Sequence, residues 1–150
     1  MMYDLLPASL GDLSQLGALE KACFPQDAWP LIEQIAALTF PATVRIKAVH
    51  SGKMIGFVGG DIRRSRKTGW ITSLAVLPAY RRMGIGEALL RACEQALRMP
   101  LVKLSVRRTN LEAQLLYMKN GYHKVETWRQ YYDGGEDAIV MEKIIPDFKL

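Results

Sequence analysis

Trp70-Ile71-Thr72-Ser73-Leu74-Ala75-Val76-Leu77-Pro78-Ala79-Tyr80-Arg81-Arg82-Met83-Gly84-Ile85-Gly86-Glu87-Ala88-Leu89-Leu90 runs from a β-rich stretch through a two-glycine turn straight into a helix. Pro78 closes the strand, and Ile85, Leu89, Leu90, Cys93 and Leu97 then fall on one helical face over Ile85–Met99. Leu101–Val106 follows as a short strand. A strand-helix-strand crossover of this length is nearly always right-handed and joins parallel strands. The turn itself is suited to an anion. Glycines at 84 and 86 leave the backbone open to close approach, and the first amides of a helix have no partner inside it. Those amides suit a phosphate, and Arg81 and Arg82 add charged donors at the same end. A P-loop is excluded because no Gly-Lys-Ser/Thr follows. A dinucleotide fingerprint is excluded because Leu89 stands where its third glycine belongs.

Upstream, Ser9-Leu10-Gly11-Asp12 has the form of a capping box, and Leu10, Leu13, Leu16, Leu19 and Cys23 recur at helical spacing as far as Phe24-Pro25. Leu31, Ile32, Ile35 and Leu38 predict a second helix, stopped at Phe40-Pro41. Thr43–His50 and Met54–Arg63 read as a hairpin about Ser51-Gly52. Downstream, Asn110 caps a helix over Glu112–Lys119 that ends at Asn120-Gly121, and two strands close the chain around Asp133-Gly134-Gly135. The expected fold is one α/β domain over residues 1–150. Its sheet is mixed, mostly antiparallel and twisted, with about four flanking helices and a central parallel strand pair.

Hydrophobic residues make up 49% of 150 and charged residues 23%, so no part of the chain has the composition of disorder. The formal charge of +5 admits nucleic acid, an acidic lipid surface or a phosphorylated cofactor as partner. Arg63-Arg64-Ser65-Arg66-Lys67 reads as a solvated hairpin tip, so direct nucleic-acid binding is not expected. Cys23 and Cys93 lie in apolar helical patterns with no Cys or His at metal-ligand spacing. Both are expected to be buried thiols, and no metal is expected. No run approaches the ~18 apolar residues of a membrane span, which leaves a cytoplasmic location as the expectation.

Arg81-x-x-Gly84-x-Gly86, preceded by Leu74-Ala75-Val76-x-Pro78-x-Tyr80, resembles the acetyl-CoA signature of the GNAT N-acetyltransferase superfamily. Three further strings resemble the bacterial ribosomal-protein alanine N-acetyltransferases within it: Val106-Arg107-Arg108-Thr109-Asn110 through Ala113, Leu116, Tyr117 and Gly121-Tyr122; Tyr131-Tyr132; and Glu136-Asp137-Ala138-x-Val140-Met141. Phe24-Pro25 followed by Trp29 matches their loop between the first two helices. The resemblance implies acetyl-CoA as cosubstrate. Backbone groups of Leu74, Ala75 and Val76 then hold the pantetheine arm, amides of Arg81, Arg82, Met83, Gly84, Ile85, Gly86 and Glu87 hold the pyrophosphate, and Asn110 and Tyr117 touch the cofactor as well. It further implies Tyr117 as the acid that protonates the departing sulfur, and Phe24, Pro25, Tyr131 and Tyr132 as walls of the acceptor groove.

The base is where the chain departs from those relatives, whose strand before Asn110 carries Glu where this chain has Ser105. Related eukaryotic enzymes place a tyrosine where this chain has Trp70, whose indole only donates. An α-amine of pKa near 8 is roughly 10% neutral at pH 7, whereas a lysine is less than about 0.1% neutral. A missing base therefore favours an N-terminal amine, deprotonated through water held by Ser105. The expected acceptor is a protein or peptide N-terminus, a ribosomal protein among the candidates, and the enzyme is expected as a monomer or homodimer. Two alternatives stand beside it: a small-amine (polyamine or aminoglycoside) acetyltransferase, and a non-catalytic acetyl-CoA-binding module. Asp27, Asp133, Glu136 and Asp137 are the only carboxylates near the groove segments, fewer than a polyamine site calls for.

Overall fold

The computed structural model describes residues 1–146, so the last four residues of the expected domain lie outside the described part. Seven strands form one sheet in the order β1-β2-β3-β4-β5-β7-β6. They are β1 (Asp4–Pro7), β2 (Thr43–His50), β3 (Lys53–Arg63), β4 (Thr68–Val76), β5 (Leu101–Arg107), β6 (His123–Trp128) and β7 (Ala138–Ile144). Four α-helices flank it: α1 (Leu13–Cys23), α2 (Leu31–Thr39), α3 (Ile85–Leu97) and α4 (Leu111–Lys119). The mixed α/β architecture is the expected one, and its single parallel pair, β4 with β5, sits mid-sheet. The sequence did not show β1, a four-residue edge strand paired antiparallel with β2.

Local chemistry accounts for the boundaries. Ser51 and Gly52 both take positive φ, the geometry of a tight two-residue hairpin turn between β2 and β3. Arg98 turns left-handed at φ 53 and stops α3 at Leu97, two residues short of the expected Met99. The Asp12 carboxylate accepts the Ser9 N–H at 2.8 Å, and a short 3-10 turn over Leu10–Asp12 then leads into α1. The basic run is an exposed turn between β3 and β4, as expected.

Two apolar layers sandwich the sheet. Val58 of β3 joins Leu89, Leu90, Cys93 and Leu97 of α3 and Tyr117 of α4, whereas Phe57 packs with Leu16 and Leu19 of α1 and Ala75 of β4. A Cβ on Gly56 would stand 2.9 Å from Leu89 Cδ1 and 3.1 Å from the Ala75 carbonyl oxygen, so this position of β3 has no room for a side chain.

Two irregularities in β4 prepare the site. Against β3 the register shifts so that Gly59 faces Ser73 and Gly60 faces Ile71, which leaves Thr72 as a bulge. Against β5 the ladder lasts three pairs, Thr68 with Leu101, Gly69 with Val102 and Trp70 with Lys103. Beyond them the two strands part in a V while β5 stays paired with β7 as far as Arg107. No helix among the described residues is long and apolar enough to cross a membrane.

Candidate active site

A cavity of about 580 Å³ opens at the V. Leu74, Ala75 and Val76 of β4 line one side, and Asn110, Ala113, Leu116 and Tyr117 line the other. Arg81, Arg82, Gly84, Ile85, Gly86 and Glu87 also line it, as do Phe24, Pro25, Asp27 and Arg107. Thirteen of the sixteen expected cofactor, acid and groove residues other than Ser105 are thus gathered around one space. Met83, Tyr131 and Tyr132 are absent from its lining.

The turn is shaped as its glycines suggested. Arg82 and Gly84 both adopt left-handed φ, 63° and 82°, so successive N–H groups turn toward one side. The first bond of α3 runs from the Ala88 N–H to the Gly84 carbonyl at 3.0 Å. The amides of Ile85, Gly86 and Glu87 therefore precede any intrahelical bond and point out of the helix end. Arg81 differs from expectation: its Nε donates to the Val76 carbonyl at 3.0 Å. Cys23 donates to the same oxygen at 3.4 Å. It is half-buried and lines the cavity, which corrects the expectation of a buried thiol, whereas Cys93 is fully buried. Burial pushes the Cys93 thiol up to about 12 and also raises Cys23, so neither is a ready thiolate at neutral pH.

Tyr117 is 8% exposed, with its ring edge-on to Tyr122 at 5.9 Å. Burial, and then the nearby Tyr132, push its phenol well above the ordinary range, so it carries its proton at every neutral pH. Asn110 caps α4, its Oδ1 accepting the Ala113 N–H at 3.1 Å. Ser105 stands on β5 opposite Val140, and the Tyr132 hydroxyl donates to its Oγ at 3.4 Å. Burial raises the Tyr132 phenol too, and it is likewise neutral. No carboxylate is hydrogen-bonded to Ser105 among the described residues. The buried Glu20 reaches β4 instead, accepting from the Ser73 hydroxyl at 3.1 Å next to the bulge. His50 is engaged elsewhere, its Nδ1 2.7 Å from the Met2 carbonyl.

Tyr131 belongs to a second cavity of about 630 Å³ along α2, with Trp29, Trp70 and Trp128. Trp70 stacks on Trp128 at 5.9 Å, and Trp128 meets Tyr131 at 5.1 Å. The expected groove residues are thus divided: Phe24 and Pro25 line the first cavity, Tyr131 lines the second, and Tyr132 lines neither, its hydroxyl directed to Ser105.

Sequence reasoning gave Arg107 no task, yet it is the most heavily engaged side chain near the cavity. Its guanidinium pairs with Asp27 through Nε at 2.5 Å and NH2 at 2.7 Å, with Glu136 through NH1 at 2.6 Å, and lies 4.8 Å over the Tyr132 ring. Glu136 also accepts from the Thr109 hydroxyl and, at 2.8 Å, from the Thr109 N–H. These donors, Thr109 first and Arg107 next, hold its carboxyl down at about 2.

Residues 13–122 match the model of the Acetyltransferase (GNAT) family. The chain is 32% identical to the N-alpha-acetyltransferase RimI of Mycobacterium tuberculosis over 154 aligned positions, covering 95% of this chain and 96% of that one. Two solved structures share the fold. The ribosomal-protein-S18-alanine N-acetyltransferase of Escherichia coli superposes with a TM-score of 0.86 at 24% identity, covering 99% of this chain and all of the other. Arabidopsis thaliana NAA60 in complex with acetyl-CoA superposes with a TM-score of 0.84 at 22% identity, covering 96% of this chain and all of the other.

Proposed function

Because the chain belongs to the acetyltransferase (GNAT) family, we propose that it transfers acetyl from acetyl-CoA to the N-terminal α-amino group of a protein or peptide, by direct attack of the amine on the thioester. One observation carries this reading: the cavity in the V between β4 and β5 is lined both by the open start of α3 and by Phe24, Asp27 and Arg107. A space with both kinds of lining offers anion-binding amides to a cofactor and a separate polar and aromatic surface to an acceptor. The relatives act in kind, being N-alpha-acetyltransferases by name, and NAA60 holds acetyl-CoA.

The residues fit acetyl-CoA in three ways. Free amides at the head of α3 meet the pyrophosphate. The unpaired edge of β4 at Leu74 and Val76 meets the pantetheine amides once Arg81 releases the Val76 carbonyl. Tyr117, neutral and buried, donates a proton to the departing thiolate. Acetyl-CoA itself supplies an activated acyl group and a stable thiolate leaving group. On the acceptor side, Ser105 and Tyr132 offer two neutral hydroxyls and no base, so they pass a proton to water without first removing it from an ammonium. The amine must therefore arrive neutral, which favours an α-amine over lysine.

The test is an acceptor screen with purified protein and acetyl-CoA: octapeptides with free or blocked N-termini, the same peptides bearing an internal lysine, and polyamines. Free N-termini are expected to be acetylated and blocked ones not, even with lysine present. The rate on a peptide should climb with pH along a limb of apparent pKa near the ~8 of an α-amine. Acetylation of polyamines alone would overturn the acceptor assignment, and a flat profile from pH 6 to pH 9 with chemistry limiting would overturn the base-free route.

A further inference from the structure

Two loops outside the sheet meet at Arg107, which lines the cavity together with Phe24 and Asp27. One is the loop of residues 24–30 between α1 and α2; the other is the loop of residues 129–137 between β6 and β7. They are about a hundred residues apart in the chain. Each loop has its own turn bonds, Asp27 N–H to Phe24 carbonyl at 3.2 Å in the first, and Tyr132 N–H to Glu136 carbonyl and Gly135 N–H to Tyr132 carbonyl in the second. Arg107, the last residue of β5, bridges the two loops. It is 80 residues from Asp27 and 29 from Glu136 and binds both carboxylates at once, while its NH2 also donates to the Asp133 carbonyl at 3.3 Å. Its side chain is only 19% exposed, so water competes poorly for these donors.

We propose that Arg107 is a positioning residue for the acceptor: from the end of β5 it sets the separation of the two groove walls, through Asp27 on one and Glu136 on the other, and by lying over the Tyr132 ring it keeps that hydroxyl on Ser105. The inference rests on the surface at Phe24 and Asp27 being the acceptor's. A planar guanidinium is suited to the task because its fixed fork spans two carboxylates and still presents a face to an aromatic ring, which an ammonium cannot do. Among the described residues the Arg107 side chain makes its hydrogen bonds to Asp27, Glu136 and Asp133 and none to the turn at Gly84 and Gly86.

The experiment measures kcat and KM for the best acceptor of the screen at saturating acetyl-CoA. The variants are Arg107→Met, Arg107→Lys, Asp27→Asn, Glu136→Gln and the doubles of Arg107→Met with each carboxylate variant. Arg107→Met is expected to raise acceptor KM about tenfold or more while the calorimetric Kd for acetyl-CoA stays within about twofold. Arg107→Lys should recover only a minor part, because its point charge serves one wall. Asp27→Asn on top of Arg107→Met should add nothing, since the partner it would lose has gone. Hydrogen exchange is followed alongside and needs no turnover: loops 24–30 and 129–137 should lose protection together in Arg107→Met. Additive KM effects in the doubles, an unchanged KM in Arg107→Met, or loosening of one loop alone would overturn the proposal. Failure of the acceptor assignment has a different signature, namely turnover confined to small amines or absent while both loops still loosen together.

Discussion

Tyr117 and Ser105 differ in what their surroundings allow them to do. Tyr117 is a buried phenol in the cavity wall whose surroundings keep it protonated, and Tyr117→Phe removes that proton while sparing the ring's packing on Tyr122. Turnover should fall roughly 10²–10⁴-fold with acetyl-CoA binding nearly unchanged, checked by pre-steady-state rates beside calorimetry. Equal rates would reassign the tyrosine to packing. Ser105 carries less, because a 3.4 Å contact from Tyr132 orients a hydroxyl without making it a base. Glu136 does not enter the pH dependence of catalysis: held down at about 2, its pairing is present above the ordinary carboxylate range and is lost only as pH falls toward 2. The family resemblance pointed to Tyr117, and two glycines at a helix start pointed to the turn amides. Arg107 was not legible in the sequence, since its partners lie in segments that spacing cannot join. Five side chains from three segments meet there only after the sheet has formed.

At the scale of elements, the turn before α3 was read almost to the residue because glycine requirements and helix amphipathicity are local. Its two glycines turn out to differ. Gly84 needs its left-handed φ, so any substitution there mixes strain with loss of ligand, whereas a Cβ on Gly86 meets only Leu116 and Val76 carbons at 3.6 and 3.8 Å, ordinary contact distances. Gly86→Asp is therefore the cleaner test. The variant should fold, yet its carboxylate would face the pyrophosphate, and acetyl-CoA affinity should drop at least tenfold by calorimetry; unchanged affinity would remove the turn from the cofactor site. What stayed hidden at this scale was β1, too short and too apolar to alternate, and the length of the β4–β5 ladder. That a parallel pair exists follows from the crossover between its strands. That it stops after three pairs, at Trp70 and just before the bulge at Thr72, is set by tertiary pairing that no local pattern carries.

For the whole molecule, the sheet separates two cores that must both form before the site exists. Phe57, fully buried on the α1 side, anchors the smaller one with Leu16 and Leu19. Phe57→Ala should cost about 3–5 kcal/mol, read as a lowered denaturation midpoint at unchanged slope. A cost below about 1 kcal/mol would mean that the α1 layer contributes little to the fold. The parting of β4 from β5 has a consequence for heat resistance as well. It leaves main-chain groups that a ligand of the native state can pair with and a ligand of the unfolded chain cannot. By mass action, such a ligand at a hundredfold excess over its Kd adds about 2.7 kcal/mol to stability. The protein accordingly has no single melting temperature: it has one for each concentration of whatever fills the V.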